Sequence, residues 1–398
     1  MNYSKLMILC IVLIPSLGML SGLSCSFTVP LLLLILIKNS SPINFQISYK
    51  PYYLEIIFAL WCFVSCFWSF NMTSSIALFI LDISLIYLYY LSSINNVAFA
   101  INKNFTTSFT LGILVSIALF FLELKTNGFI YSNFRRYFQG TSFPVQYPLY
   151  SLDRGCALLA ISSWPLFNIL IVKHKYYLSY LLYLVILYTL YLSDSLASLL
   201  GFVASGAIFL LTQILPIRFF KYIRMLFLLF LVSLPIIAYY MNPYLISDHY
   251  AKILPESAKH RLFIWNFVSR KIASQPISGY GFSSSRQYIV AAEEVISYKN
   301  HLWSPLPIHP HNNVLQILFE TGIIGFYLLL LVISKYLQKI EKLTITSRTT
   351  GSIYYACFIN YFIIGMISFS ALQPWWIAAA IWVIVMLKYS RDQSFKTA

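Results

Sequence analysis

Two histidines, His309 and His311, stand just before a long apolar run that begins at Val314. A neutral imidazole takes a proton from a hydroxyl near pH 7, so a histidine in this place can act as a general base. Asn312 or Asn313 is a good N-cap for a helix that starts here, and the positive end of that helix favours the uncharged imidazole. The spacing predicts proton chemistry by His311; the ordinary alternative is a solvated loop histidine.

Two arginines have a type and position that suit a phosphate ligand. Arg154 opens an apolar run directly after Asp153, and Arg261 opens an amphipathic segment. Arginine offers a fixed fork of N–H donors that binds phosphate through two hydrogen bonds. We expect both to bind a diphosphate at a membrane surface. The alternatives are a membrane anchor paired with Asp153, and a solvated loop charge.

Further polar and aromatic side chains complete the expected substrate-binding group. Arg136 and Arg286 lie in polar segments and are expected to line the site or contact lipid headgroups. Trp265, four residues after Arg261, and Asn312 are expected to contact substrate.

A metal centre is the competing chemistry for the same region. His301, His309 and His311, with Glu293 and Glu294, can be arranged around zinc. The polar segments contain no HExxH motif, no CxxC motif and no DxD-type carboxylate pair. We therefore expect no catalytic metal.

The composition indicates that most of the chain is surrounded by lipid. It has 398 residues, of which 59% are hydrophobic and 10% are charged, whereas about a quarter are charged in a soluble domain. The net charge of +15 does not indicate a nucleic-acid partner, because the basic residues lie at the ends of apolar runs. The six cysteines lie mostly in or beside these runs and are expected to be free thiols.

Twelve apolar runs can each form a membrane span. They cover residues 6–23, 27–37, 54–70, 75–94, 107–124, 154–172, 177–193, 195–214, 225–241, 313–334, 352–370 and 373–387. The second run is short. We predict an all-α integral membrane protein with about twelve transmembrane helices in a single membrane domain, 1–398. Two polar loops interrupt it, at 125–153 and 242–312, and the larger contains short helices such as 258–273.

The basic residues also predict the orientation of the chain. One alternating set of connections carries sixteen lysines and arginines, and the short connections of the other set carry none. Cytoplasmic loops are the ones enriched in lysine and arginine. Both termini are therefore expected in the cytoplasm, and the two long polar loops on the outer face.

Few ionisable residues are expected to be buried, and Asp82, Asp194 and Glu320 lie in or at the end of spans. Ion-coupled transporters usually place charges along a path at the membrane midplane. One mid-span carboxylate without a basic partner is weak support for such a path. Glu320 is expected to pair with some other polar group.

The pattern from the histidine into the apolar run resembles a family signature. His311-Asn312, nine further residues, and then Gly322-x-x-Gly325 resemble the periplasmic motif of bacterial O-antigen ligases, within the O-antigen ligase/polymerase superfamily. The two glycines are also expected to allow close helix packing. The segments RLFIW at 261–265 and PISGYG at 276–281 are similar to the outer loop of that superfamily. DRG at 153–155 resembles its other arginine position.

The resemblance implies a metal-independent and ATP-independent membrane glycosyltransferase in the bacterial inner membrane, without a cofactor. It implies transfer of a glycan from undecaprenyl diphosphate to the lipid A–core oligosaccharide on the periplasmic face. His311 would be the base that activates the acceptor hydroxyl, and Arg154 and Arg261 would bind the diphosphate. In-line attack would invert the anomeric carbon.

Other functions stay open at this point. An O-antigen, capsule or exopolysaccharide polymerase of the same superfamily shares the spans, loops and arginines. A relative that glycosylates proteins is a further alternative, and a lipid-linked-sugar transporter is one from a different class. The segment KNHLWSPLP at 299–307 matches nothing in the family pattern, so the sequence leaves the acceptor open.

Overall fold

The computed structural model describes residues 3–38, 50–95, 104–139, 149–245, 254–299 and 301–394. The helices before the larger loop are α1 Tyr3–Leu20, α2 Cys25–Lys38, α3 Tyr53–Ser65, α4 Met72–Ile94, α5 Asn104–Lys125, α6 Phe129–Gln139, α7 Asp153–Val172, α8 Tyr176–Leu192, α9 Leu196–Ile214 and α10 Phe220–Tyr240. The later helices are α11 Glu256–Ser274, α12 Ser284–Gln287, α13 Asn313–Thr346, α14 Arg348–Ile367 and α15 Pro374–Ser394.

A short antiparallel hairpin lies between α12 and α13. Its strands are β1 Ile296–Tyr298 and β2 His301–Trp303, with Ile296 opposite Trp303. The sequence analysis predicted no strand here. The hairpin forms because Ile296 and Tyr298 point to the same side of β1, where both are buried and cluster with Phe263 of α11.

The helical membrane class is confirmed. Within the described residues, eight helices are long and apolar enough to cross a membrane: α3 with its flanking turns, α4, α5, α7, α9, α10, α13 and α14. Each of the twelve predicted runs coincides with a helix. Helices are expected, because in lipid each backbone N–H and C=O must find its partner within the segment. The count of twelve crossings stays a prediction.

Helix α7 is the centre of the bundle, and every residue from 155 to 170 is buried. It packs against α1, α5, α8, α9, α14 and α15. A helix that is apolar on all sides belongs in the middle of a bundle. Two of its polar side chains pair with α15: Trp382 Nε1 donates to Ser162 Oγ at 3.0 Å, and Asn168 Nδ2 donates to Ser390 Oγ at 2.9 Å. The first turn of α7, which carries Arg154, is therefore firmly placed.

One end of the bundle is held together by charged side chains. Lys335 of α13 pairs with Glu55 of α3 at 2.7 Å, and Glu341 of α13 pairs with Arg224 of α10 at 2.8 Å. Arg224, Lys335 and Glu341 lie in the set of connections that carries the sixteen lysines and arginines. Lys335 is 22 residues from the start of α13, about 33 Å along the helix. The connections of the other set, with the two histidines, meet at the opposite end.

Helix α13 is broken at Gly322, where the backbone turns to φ 64° and ψ −169°. A Cβ atom at this position would overlap with the carbonyl group of Ile277, and one at Gly279 would overlap with the backbone of Gly322. Gly279 and Gly322 thus let the 276–281 segment pack against the helix. The sequence predicts a different role for Gly322 and Gly325, as helix-packing glycines in a continuous span. Gly325 does pack closely, against Trp61 of α3, but Gly322 serves as a break.

The break is stabilised by hydrogen bonds between the backbone groups of α13 near Gly322 and groups outside the helix. These are Tyr280 N to Phe319 O, Gly281 N to Glu320 O and Ile323 N to Pro276 O, each at 2.8 Å, and Trp61 Nε1 to Thr321 O at 2.8 Å. A helix interrupted in a membrane is tolerated when neighbouring segments satisfy the groups that the break releases. The PISGYG segment and the α13 glycines are therefore one structural unit.

Replacing Gly322 with alanine is expected to lower the free energy of unfolding by about 2–4 kcal/mol. The backbone of Gly322 lies in a region that is essentially restricted to glycine and costs a residue with a Cβ about 1–3 kcal/mol. Displacing the 276–281 segment also removes hydrogen bonds worth about 1 kcal/mol each. Thermal unfolding of the purified protein in detergent measures the change. Gly206→Ala in α9 is the matched control, because only the end of the Tyr183 side chain stands near it. Equal melting temperatures for both variants would contradict the interpretation.

Candidate functional site

The two histidines lie together in the loop that leads from β2 into α13. His309 Nε2 is 3.1 Å and His311 Nδ1 is 2.9 Å from the carbonyl oxygen of Ser368, and the ring centroids are 4.2 Å apart. A carbonyl oxygen only accepts hydrogen bonds, so both of these nitrogens carry protons. The lone pairs therefore lie on Nδ1 of His309 and Nε2 of His311.

The backbone around the histidines is fixed from both sides. Asn312 is the N-cap of α13, as predicted, and its side chain accepts from the first free backbone N–H groups, at 3.1 Å each. On the other side, Trp265 Nε1 donates to the carbonyl oxygen of Pro310 at 3.1 Å. His311 itself has φ 52°, a conformation uncommon outside glycine. The structure thus gives Trp265 and Asn312 a role in positioning the histidine loop.

Three arginines from different elements surround this loop. Arg154 is exposed at the first turn of α7 and lies 6.0 Å from the centre of the Trp375 ring. Arg286 is exposed on α12, while Arg261 on α11 is half-buried and its Nε has no hydrogen-bond partner. None of the ion pairs among the described residues uses any of the three. Within the described residues their guanidinium groups thus form a positively charged site without an ion pair, and the carboxylate of Asp153 attracts Arg261 and Arg154 only from beyond ion-pair distance.

The arginines and burial keep both histidines uncharged. The pKa of His311 falls from its ordinary 6.5 to about 3, first because of burial and then because His309 and Arg261 lie nearby. Burial also lowers the pKa of His309, and Arg286, Arg154 and Arg261 lower it further. The neutral form agrees with the sequence prediction. The main cause of the low pKa values is burial, whereas the sequence indicated the positive end of α13 as the cause.

Glu320 links three parts of the site. Its carboxylate accepts from Ser283 N at 2.7 Å, from Ser285 Oγ, and from Gln316 Nε2 at 3.0 Å. The same Gln316 donates to Ser370 Oγ at 2.8 Å. This network joins α13 to the turn that carries Arg286 and to the α14–α15 connection. The structure thereby identifies the hydrogen-bond partners of Glu320, which the sequence leaves open.

Most of the predicted site residues come together here, and one does not. Arg136 lies on α6, where its side chain is exposed; within the described ranges it makes no hydrogen bond or ion pair with the histidine loop. Residues that sequence reasoning missed are His309 as a partner of His311, Ser368 and Gln316. Ser368 takes part only through its backbone carbonyl group, which leaves no signal in the sequence.

Comparison with known proteins gives one consistent family. The model of the O-antigen ligase family matches residues 181–330, which include Arg261, both histidines and both α13 glycines. A protein of Rickettsia felis is 40% identical over 95% of each chain, and one of Rickettsia typhi is 39% identical over 95% of each chain. A Rickettsia conorii protein is 40% identical over the same share. Each is described as a "putative polysaccharide ligase".

No solved structure gives a significant match. The relatives extend over almost the whole chain, and the family model covers the part that contains the histidine loop and the broken helix. The resemblance predicted from the histidine and glycine spacing is confirmed: the chain belongs to the O-antigen ligase family.

Proposed function

We propose that this protein is an O-antigen ligase of lipopolysaccharide biosynthesis, which transfers a glycan from undecaprenyl diphosphate to the lipid A–core oligosaccharide. The observation that carries the proposal is the pair of neutral histidines beside three arginines that form no ion pair among the described residues, at one end of a membrane bundle. Unpaired guanidinium groups suit a diphosphate, and a neutral imidazole suits a hydroxyl. Membership of the family supports the same reaction class.

In the proposed reaction the acceptor hydroxyl attacks the anomeric carbon of the donor glycan. Nε2 of His311 takes the hydroxyl proton as the new C–O bond forms, and the bond from that carbon to the diphosphate oxygen breaks. The bonding electrons leave with the diphosphate, whose charge is neutralised by Arg261 and Arg154. Attack from the opposite side inverts the anomeric carbon. The donor bond is already activated, so the proposal includes no metal, nucleotide or other cofactor.

The low pKa of His311 suggests an order for these steps. An imidazole with a pKa of about 3 is a weak base in the free protein. A diphosphate bound at the arginines brings negative charge to the site and cancels the repulsion that Arg261 exerts on the imidazolium. Donor binding then raises the pKa of His311 by removing this repulsion, while burial, the largest cause of the low pKa, remains. We therefore propose that the donor binds first and activates the base for the acceptor.

We further propose that the protein lies in the bacterial inner membrane with both termini in the cytoplasm. The basic residues support this orientation, since sixteen lie in one set of connections and none in the short connections of the other. The charged pairs at the end of α13 that is remote from the histidines belong to the basic set. The site would then open on the periplasmic face, where lipid-linked glycans reach their acceptor.

Deletion of the gene in its host, followed by gel analysis of lipopolysaccharide, tests the proposal. We expect the lipid A–core to lose all long glycan, while polymer attached to the carrier accumulates, and the wild-type gene on a plasmid to restore the long form. A core that bears a single repeat unit would instead identify a polymerase. Carrier-linked single units confined to the cytoplasmic leaflet would identify a transporter.

A further inference from the structure

Asp153 is a charged residue beside the site that the proposed reaction does not use. It is the first residue of α7, directly before Arg154, and its side chain is half-buried. Its Oδ1 atom is buried without a hydrogen-bond partner, and none of the ion pairs among the described residues includes it. No neighbouring cation therefore neutralises this carboxylate by direct contact, and its electrostatic field acts on the groups around it.

The position of this charge is fixed by the packing of the first turn of α7. A Cβ atom at Gly155 would overlap with the backbone of Met19, and one at Gly22 would overlap with the side chain of Arg154. These close approaches leave the start of α7 little freedom to shift. Because the side chain of an aspartate is short, the carboxylate of Asp153 stays close to this fixed backbone.

The field of Asp153 acts on two of the three site arginines. It attracts Arg261 and, less strongly, Arg154, in both cases from beyond ion-pair distance. At this range the carboxylate does not hold either guanidinium group by a hydrogen bond. The buried Nε of Arg261 has no hydrogen-bond partner among the described residues, so it stays available to a ligand. A diphosphate bound at these arginines would be repelled by Asp153.

The proposed reaction changes the charge of the diphosphate group. In the donor the glycan esterifies the terminal phosphate, so each phosphate carries one negative charge. When the bond from the anomeric carbon breaks, the phosphate oxygen leaves with the bonding electrons. A terminal phosphate ionises a second time at about pH 6, so the free diphosphate carries up to about one negative charge more than the donor. The arginines that bind the donor therefore hold the product more tightly, although the product has to leave.

We propose that Asp153 weakens the hold of Arg261 and Arg154 on the diphosphate product and so promotes its release after transfer. This inference rests on the proposed function. A fixed negative charge repels the product more than the donor, because the product carries the greater charge. Asp153 acts through the arginines and does not touch the reacting atoms.

The variant Asp153→Asn tests the inference, because it removes the charge and keeps the shape of the side chain. Affinity is measured with the full chain in nanodiscs and two probes: undecaprenyl diphosphate without sugar, and the glycan-loaded carrier extracted from the deletion strain. We expect the variant to bind the bare carrier about three- to thirtyfold more tightly, the range for two unit charges slightly beyond contact at a protein surface. The loaded carrier should gain by a smaller factor.

The matched control is Asp194→Asn, which makes the same change of charge in the neighbouring α8–α9 connection. Asp194 is exposed, so solvent and salt screen its charge, and both affinities should stay close to the wild-type values. Asp153→Glu keeps the charge at the site and should also bind both probes like the wild type. Asp153→Ser removes the charge with a smaller side chain and replaces the asparagine variant if that variant does not fold.

Turnover gives a second measurement, which a purely structural role of Asp153 would not affect in this way. Slow release of the product in Asp153→Asn predicts that the first turnover keeps its rate while later turnovers slow. Product then appears as a burst equal to the amount of protein. In Asp153→Glu the burst should be absent.

An Asp153→Asn variant that folds and binds the bare carrier no more tightly than the wild type overturns the inference. A lower melting temperature with unchanged affinity has the same meaning, because Asp153 then only stabilises the positive end of α7. Failure of the proposed function has a different signature. The wild-type chain would then transfer no glycan to lipid A–core, whatever the Asp153 variants do to the affinity for the carrier.

Discussion

Replacing His311 with alanine is expected to slow glycan transfer by a factor of about 10²–10⁴, the usual value of a positioned proton transfer. The variant removes Nε2, the nitrogen that holds the lone pair, while Asn312 still caps α13. Donor binding should change little, since the arginines are untouched. Single-turnover transfer from extracted carrier-linked glycan to purified lipid A–core measures the rate.

The control for this variant is His174→Ala, an exposed histidine in the α7–α8 turn, which is expected to retain full activity. Burial lowers the pKa of His311 to about 3 in the folded protein, against an ordinary value of 6.5 in the unfolded chain. The unfolded state therefore holds more protons in this window, and the free energy of unfolding falls as the pH drops from 6.5 toward 3. His311→Ala should lose part of that acid dependence. Transfer at the wild-type rate by His311→Ala would exclude His311 as the base.

The double variant Arg154→Ala and Arg261→Ala is expected to weaken use of the donor by about 10²–10⁴-fold. Each guanidinium would make a charged hydrogen bond to the diphosphate, worth about 1.5–3 kcal/mol, and the two together correspond to that range. The KM for the carrier-linked glycan should rise while the KM for the lipid A–core stays near its wild-type value. Initial rates over a range of each substrate separate the two.

The fold of the double variant should be preserved, since neither arginine forms an ion pair within the described part of the chain. Removing Arg261 also removes a charge that lowers the pKa of both histidines, so their pKa values should rise. Arg218→Ala serves as the control, because Arg218 is exposed between α9 and α10 and lies against Phe219. A donor KM equal to that of the control would refute the diphosphate role.

Features with a local cause could be predicted from the sequence. The apolar runs located the helices, because length and composition alone decide whether a segment suits lipid. Asn312 as the cap of α13 and the α11 helix follow from side chains within a few residues. His311, Arg154 and Arg261 were chosen by residue type at the ends of such elements, and the structure places all three around one loop.

Features that depend on distant segments could not be predicted. The Ser368 carbonyl group that orients both histidines is 57 residues from His311 and has no side-chain signal. The break at Gly322 depends on Pro276, Tyr280 and Gly281, and its apolar surroundings are those of an ordinary span. Arg136 was chosen by its charge alone. It lies on α6 without a hydrogen bond or ion pair to the histidine loop among the described residues, so its binding role stays a prediction.

The hydrogen bonds at the broken helix also constrain when the protein becomes active during its synthesis. The side chain of Trp61 donates a hydrogen bond to the carbonyl oxygen of Thr321, 260 positions later in the chain. Both histidines donate to the carbonyl oxygen of Ser368, which lies in the connection before the last helix. A ribosome delivers these segments in order, so a chain that ends before Ser368 can secure the break at Gly322 but cannot orient its histidines. Under the proposed function, transfer therefore begins only after Ser368 has been delivered, and chains truncated before it are expected to be inactive.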